Sequence, residues 1–188
     1  MWRRKVNRMQ RAIFRDKDKC VGCYACIVAC KLEHDLPPHP SLPPVAEPEG
    51  ACLTSVYRYG PFMEGDKVIQ YFVPMSCMHC TDAPCIQACP KSALYKDAQT
   101  GATLVDKDKC IGCRVCLWVC PYGAPRYNAE GKCELCDLCL KRFKEGKRKT
   151  ACEAVCIASA IYSGPVEEVA SHKARKAAKK LAEGSVLA

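Results

Sequence analysis

Apolar residues in this chain come in short blocks, broken by cysteines and turn residues, and never in long amphipathic runs. Residues 53–60 (LTSVYRYG) and 67–73 (KVIQYFV) are rich in β-branched and aromatic side chains and predict two strands joined by a turn at Gly65-Asp66. Leu94-Tyr95 and Thr103-Leu104-Val105 flank Thr100-Gly101 and predict a small hairpin. Apolar segments bounded by cysteines, CIVAC and CLWVC, each fit a single helical turn. Residues 36–50 hold six prolines and predict an extended surface connection. Residues 166–183 are built from strong helix formers and predict a basic terminal helix. No run of about 18 apolar residues occurs, so no membrane span is expected. The coarse expectation is an α+β chain of small elements.

Such elements need something to hold them. Apolar residues make up 49% of the 188 residues, but 18 of them are cysteine. Without those the apolar share falls to about 39%, thin for one core of this length. Disulfides, zinc and iron–sulfur clusters are the three candidates. Disulfides need an oxidising compartment. The N-terminus has the basic residues of an export signal and no apolar run after them. A cytoplasmic location is therefore expected, with export as the passenger of a signal-bearing partner as the alternative. In the cytoplasm clustered cysteines more often bind metal.

The cysteines repeat. Asp16-Lys17-Asp18-Lys19-Cys20-x-Gly22-Cys23-x2-Cys26-x3-Cys30 recurs 90 residues on as Asp106-Lys107-Asp108-Lys109-Cys110-x-Gly112-Cys113-x2-Cys116-x3-Cys120. Each is followed by a second quartet, Cys77-x2-Cys80-x4-Cys85-x3-Cys89 and Cys136-x2-Cys139-x12-Cys152-x3-Cys156. Structural zinc asks for paired chelating dipeptides. A Cys-x2-Cys-x2-Cys triplet instead wraps one cubane, and in two-cluster ferredoxins the fourth cysteine serves the neighbouring cluster.

Further signals surround the quartets: Cys30-Lys31-Leu32-Glu33, Val56-Tyr57-Arg58-Tyr59-Gly60, Pro74-Met75-Ser76-Cys77-Met78-His79-Cys80, and Cys136-Asp137-Leu138-Cys139-Leu140-Lys141-Arg142 with Gly146 beyond. With them the chain resembles the four-cluster iron–sulfur electron-transfer subunits of molybdenum and tungsten oxidoreductases, of the dimethyl sulfoxide reductase type, over about residues 12–163. The resemblance implies swapped ligation. Cys20, Cys23 and Cys26 would share a [4Fe–4S] cluster with Cys156, and Cys136, Cys139 and Cys152 with Cys30. Cys77, Cys80 and Cys85 would take Cys120, and Cys110, Cys113 and Cys116 would take Cys89. It implies two interleaved ferredoxin-like modules: residues 12–35 with 133–163 outside, residues 74–132 inside, 36–73 as an extended and strand insertion, and 164–188 as the basic C-terminal helix. Four clusters are expected, or three if one quartet pair is degenerate. Cys52 and Cys133 are surplus. Cys133-x2-Cys136 competes with Cys136-x2-Cys139, and the family's spacing to Arg142 and Gly146 favours Cys139.

The resemblance also implies a partner: a catalytic subunit carrying pterin-bound molybdenum or tungsten, of the dimethyl sulfoxide reductase kind or of the aldehyde oxidoreductase or aromatic acyl-CoA-reducing tungsten kind. An external electron carrier would stand at the other end. A free-standing polyferredoxin is the alternative. A formal charge of +9 raises a third class, a nucleic-acid-binding module. Four clusters, each about −2 with its thiolates, would nearly cancel that charge, so no nucleic-acid partner is expected. No Gly-rich nucleotide loop and no Ser/His/Asp set occurs, and no catalytic residue is assigned. His79 is read as packing between ligands, and Trp118 as shielding a cluster from water.

Overall fold

The structure, a computed structural model, describes residues 10–36 and 52–182. The proline-rich connection therefore lies outside the described residues, except for Leu36. Among the described residues, eight strands form four two-stranded antiparallel sheets. Strand β1 (Arg11–Arg15) pairs with β8 (Ile161–Pro165), with Arg15 opposite Ile161 and Ile13 opposite Ser163. This pairing of the two ends of the fold was not expected from the sequence. Strands β2 (Thr54–Glu64) and β3 (Lys67–Ser76) form the expected hairpin around Gly65-Asp66. It runs farther than the apolar blocks suggest, because its outer half is exposed and needs no hydrophobic pattern. Strands β4 (Leu94–Lys96) and β5 (Thr103–Val105) form the second expected hairpin. Strands β6 (Arg126–Tyr127) and β7 (Cys133–Glu134) add a two-residue ladder too short to leave a signal.

The helices begin within the cysteine quartets. Helix α1 (Ala25–Glu33) has nine residues, whereas α2 (Pro84–Gln87) and α3 (Val115–Trp118) have four. Pro90 and Pro121 follow the last cysteine of the two short ones and bar further turns. Lys31 stands at that place after Cys30, so α1 continues. Helices α4 (Leu140–Lys144) and α5 (Ala151–Ala154) flank the last quartet. Thr150 caps α5 by accepting the Glu153 N–H. Arg142 on α4 pairs with Glu33 on α1 at 2.8 Å, both largely buried, so part of the 141–149 charge run is internal.

Helix α6 (Val166–Ala182) matches the expected basic helix and starts where Gly164-Pro165 close β8. It packs on the β1–β8 pair: His172 stacks on Tyr162 at 4.3 Å and meets Phe14 at 6.0 Å. Lys176 bonds the carboxylates of Asp16 and Asp18. Asp16 is only 4% exposed, so losing its cation leaves a buried charge poorly compensated. Lys176→Ala should therefore cost about 1–3 kcal/mol of stability, read as a lower apparent melting temperature of the holoprotein. Among the described residues no helix is long and apolar enough to cross a membrane.

Candidate metal centres

Two hollows are ringed by cysteine. One is lined by Cys77, Cys80, Cys85 and Cys120 with Pro84, Tyr122 and Leu135. The other is lined by Cys89, Cys110, Cys113 and Cys116 with Pro90, Leu94, Tyr127 and a fifth cysteine, Cys133. Each holds three cysteines of one quartet and the last cysteine of another. The first and last quartets meet in the same crossed way. The thiols of Cys156 and Cys23 bear on Cys20, and those of Cys20 and Cys23 on Cys26. Cys30 instead feels Cys136, Cys152 and Cys139. We number the sets I (Cys20, Cys23, Cys26, Cys156), II (Cys30, Cys136, Cys139, Cys152), III (Cys77, Cys80, Cys85, Cys120) and IV (Cys89, Cys110, Cys113, Cys116).

The sets adjoin in that order. Cys152 acts on Cys26, Cys136 on Cys77, and Cys116 on Cys85. Sets I and IV each have one exposed cysteine, Cys23 and Cys113.

Local backbone geometry explains how the triplets curl. Gly22 and Gly112 have φ of 68° and 72°, and Tyr24 and Arg114 have φ of 58° and 62°. Left-handed residues in such a loop turn successive N–H groups inward, a concavity suited to an anion. A Cβ on Gly112 would lie 2.7 Å from the Gly131 carbonyl oxygen, so no larger residue fits. Sulfur acceptors are met by backbone donors four residues on: Ala93 to Cys89 at 3.3 Å, Ala124 to Cys120 at 3.4 Å, Ala160 to Cys156 at 3.2 Å. At Cys30 the continued helix engages the corresponding N–H, and the His34 ring takes its place, with Nδ1 3.8 Å from Sγ.

His34 was not foreseen. Its Nδ1 lies 2.9 Å from the Cys30 carbonyl oxygen and its Nε2 2.8 Å from Asp137 Oδ1, two acceptors that call for both ring protons. Burial works against that charge, but Asp137 outweighs it and the His34 pKa is raised. The helical i,i+4 spacing from Cys30 was the available signal. His79 does pack, and more: its Nδ1 accepts the Thr103 N–H at 2.9 Å. Burial, helped by Lys96 and Arg15, lowers its pKa to about 4. The neutral ring then carries its proton on Nε2, which is buried without a partner among the described residues.

Trp118 does not shield a cluster. It is 85% exposed, because it lies two residues, about 200° of helix, beyond the inward-facing Cys116. Tyr127 closes that side instead, its hydroxyl 3.2 Å from Cys116 Sγ. Cys133 lies here too, 3.9 Å from Cys116 Sγ and with its N–H on Cys110 Sγ at 3.3 Å. Their contact lowers the Cys116 pKa and raises that of Cys133, which keeps its proton. Cys139 is instead beside Cys136 and Cys152 and accepts the Ala151 N–H. Cys52 is buried and donates to the Thr54 carbonyl at 2.9 Å, away from every set.

The donor chemistry fits iron–sulfur clusters. Burial first, then neighbouring thiols, pushes Cys26 and Cys139 up to about 12, and burial pushes Cys77 to the same level and Cys136 to about 11. Thiols so placed ionise when a cationic core sits among them. The unpartnered His79 Nε2 and the buried nitrogens of Arg15 suit an anionic, sulfur-rich group. A family profile described as "4Fe-4S dicluster domain" matches residues 68–166. One chain of the anaerobic dimethyl sulfoxide reductase of Escherichia coli (strain K12) is 38% identical over 166 residues, 85% of this protein and 76% of the relative. The protein is a member of the 4Fe-4S dicluster family. Two other relatives are a sulfite dehydrogenase subunit of Allochromatium vinosum, 37% identical over 85% of this protein and 70% of its own length, and the thiosulfate reductase electron transfer subunit PhsB of Salmonella typhi, 33% identical over 85% and 78%. Membership in the dicluster family supports iron–sulfur clusters, over zinc or disulfides, as the reason for so many cysteines.

Proposed function

We propose that this chain is a non-catalytic iron–sulfur subunit that conducts single electrons to or from a catalytic partner. In this reading sets I to IV are the ligands of four [4Fe–4S] clusters. The outer segments, 12–35 with 133–163, and the inner one, 74–132, are interleaved ferredoxin-like modules. Residues 36–73 are an insertion, and helix α6 follows the outer module. Bound clusters supply one-electron redox chemistry. The chain's own residues space them, exclude water and direct N–H groups at sulfur.

The observation that carries the reading is the order of the sets. Four groups of four cysteines adjoin in one row, and the row ends at exposed cysteines, which gives an electron two places of exchange with other proteins. The names of the relatives support a reductase or dehydrogenase complex. From the resemblance we take the partner to hold pterin-bound molybdenum or tungsten, with an external carrier at the far end. We place the complex in the cytoplasm, with export alongside a signal-bearing partner as the alternative.

Iron and acid-labile sulfide in the anaerobically purified protein test this. About 16 of each per chain are expected, four per cubane. Zinc without iron would end the reading, and a firm value near 12 would remove one cluster from the row.

A further inference from the structure

We infer that Arg15 is a buried counter-charge shared by sets I and II, and that it raises the reduction potentials of the clusters held there. The inference rests on the ligand sets proposed above.

Along β1, residues two apart share a face, so Ile13 and Arg15 point the same way. Ile13 packs against both apolar clusters of the fold, the one containing Cys26, Cys152 and Ile161 and the one containing Cys30 and Cys136. Arg15 lies opposite Ile161 in the ladder. Its Nε, Nη1 and Nη2 are all buried, and none has a hydrogen-bond partner among the described residues. A guanidinium has five N–H donors and keeps its charge, so burying it without acceptors or an anion is strongly unfavourable. The adjacent carboxylate does not serve, because Asp16 is engaged by Lys176 and the Asp18 N–H. What Arg15 does face is thiols: it is a charged neighbour of both Cys26, in set I, and Cys136, in set II. The same charge reaches His79 more weakly than Lys96 does.

One electron entering a cluster takes it, with its four thiolates, from about −2 to about −3, with no proton bound and no bond broken. A fixed cation at short range in a low-dielectric surrounding stabilises the more negative state more, so reduction becomes easier. The guanidinium fork can also donate to sulfur from several nitrogens, which a lysine at this position could not reproduce.

The test is potentiometry of the anaerobic holoprotein, reduced stepwise with dithionite and read by electron paramagnetic resonance. Arg15→Gln should retain the wild-type iron content. It should lower the reduction equilibrium constant of two signals at least tenfold, 59 mV for one electron. Those two should be the signals lost or altered in Cys23→Ser and Cys139→Ser. Arg15→Lys, which keeps a charge without the fork, should shift the same two signals by less. Unchanged potentials in Arg15→Gln would overturn the inference, as would shifts confined to signals altered by Cys80→Ser or Cys113→Ser. If Arg15→Gln does not retain iron, Arg15→Met, which keeps the apolar stem without the charge, decides, and unmoved potentials there overturn the inference equally. Wild-type protein with zinc and no iron would defeat the ligand reading itself. Normal wild-type signals that no Arg15 variant moves would defeat only the role of Arg15.

Discussion

Stripping the iron from the holoprotein should leave no cooperative fold. The buried apolar residues among those described comprise ten cysteines, five alanines and only seven larger side chains: Leu53, Val56, Leu94, Leu135, Leu138, Ile161 and Val169. Each sheet among the described residues has two strands, and a two-stranded ribbon is marginal by itself in water. Non-glycine residues at Tyr24, Asp35, His79, Ser92, Arg114, Leu138, Cys139 and Ser159 hold left-handed backbone, each at a cost of about 1–2 kcal/mol. A small domain has a net stability of about 5–15 kcal/mol. Structural metal binding can supply about as much, 10–16 kcal/mol for zinc in finger peptides. Chelation under reducing, anaerobic conditions should therefore abolish the thermal transition and most of the strand and helix circular dichroism. An iron-free protein that still melted cooperatively, with native-like circular dichroism, would show that the small apolar core suffices.

Replacing Cys139 with serine should remove about four irons, whereas Cys133→Ser and Cys52→Ser should remove none. Loop length alone does not choose between Cys133 and Cys139, since three more residues before Cys152 add only a few tenths of a kcal/mol in closure entropy. Position chooses. Cys139 sits at the start of α4 next to Cys136 and Cys152, with the Ala151 N–H on its sulfur. Cys133 stands at the edge of set IV, where four other cysteines already line the hollow, with its Sγ 3.9 Å from Cys116 Sγ. Serine oxygen is a hard ligand and a poor replacement for thiolate on iron. Iron analysis of the three variants gives the answer directly. Loss of a cluster in Cys133→Ser with retention in Cys139→Ser would mean that the last quartet pairs three residues earlier.

Much of the site was legible because cluster ligation is written in short spacings. The 90-residue repeat and the triplets were accessible in the spacing, the crossing of each fourth cysteine came only as an implication of the family resemblance, and the two hairpins showed in their β-branched blocks. What escaped notice depends on long-range neighbours. RAIFR at 11–15 puts an arginine on an inward face, which contradicts the apolar-in rule until sulfur anions are placed beside it. His34 needed the knowledge that α1 runs a full turn past Cys30, which the missing proline could have suggested. Trp118 was misread by its closeness in sequence to Cys116 and Cys120. On a helix, a separation of two residues places side chains on opposite faces.

The pairing of β1 with β8 sets a timetable for biosynthesis. Strand β1 leaves the ribosome well before its partner, with residues 16–160 made in between. At about 5–20 residues per second that interval lasts roughly 7–29 s. During it Cys20, Cys23 and Cys26 are outside the ribosome while Cys156 is not. The inner cysteines, 77 to 120, are together much sooner and close shorter loops, which favours their assembly first. A chain cut short before Cys156 would leave β1 without a partner and Cys20, Cys23 and Cys26 without the fourth member of their set, a ready target for oxidation and proteolysis.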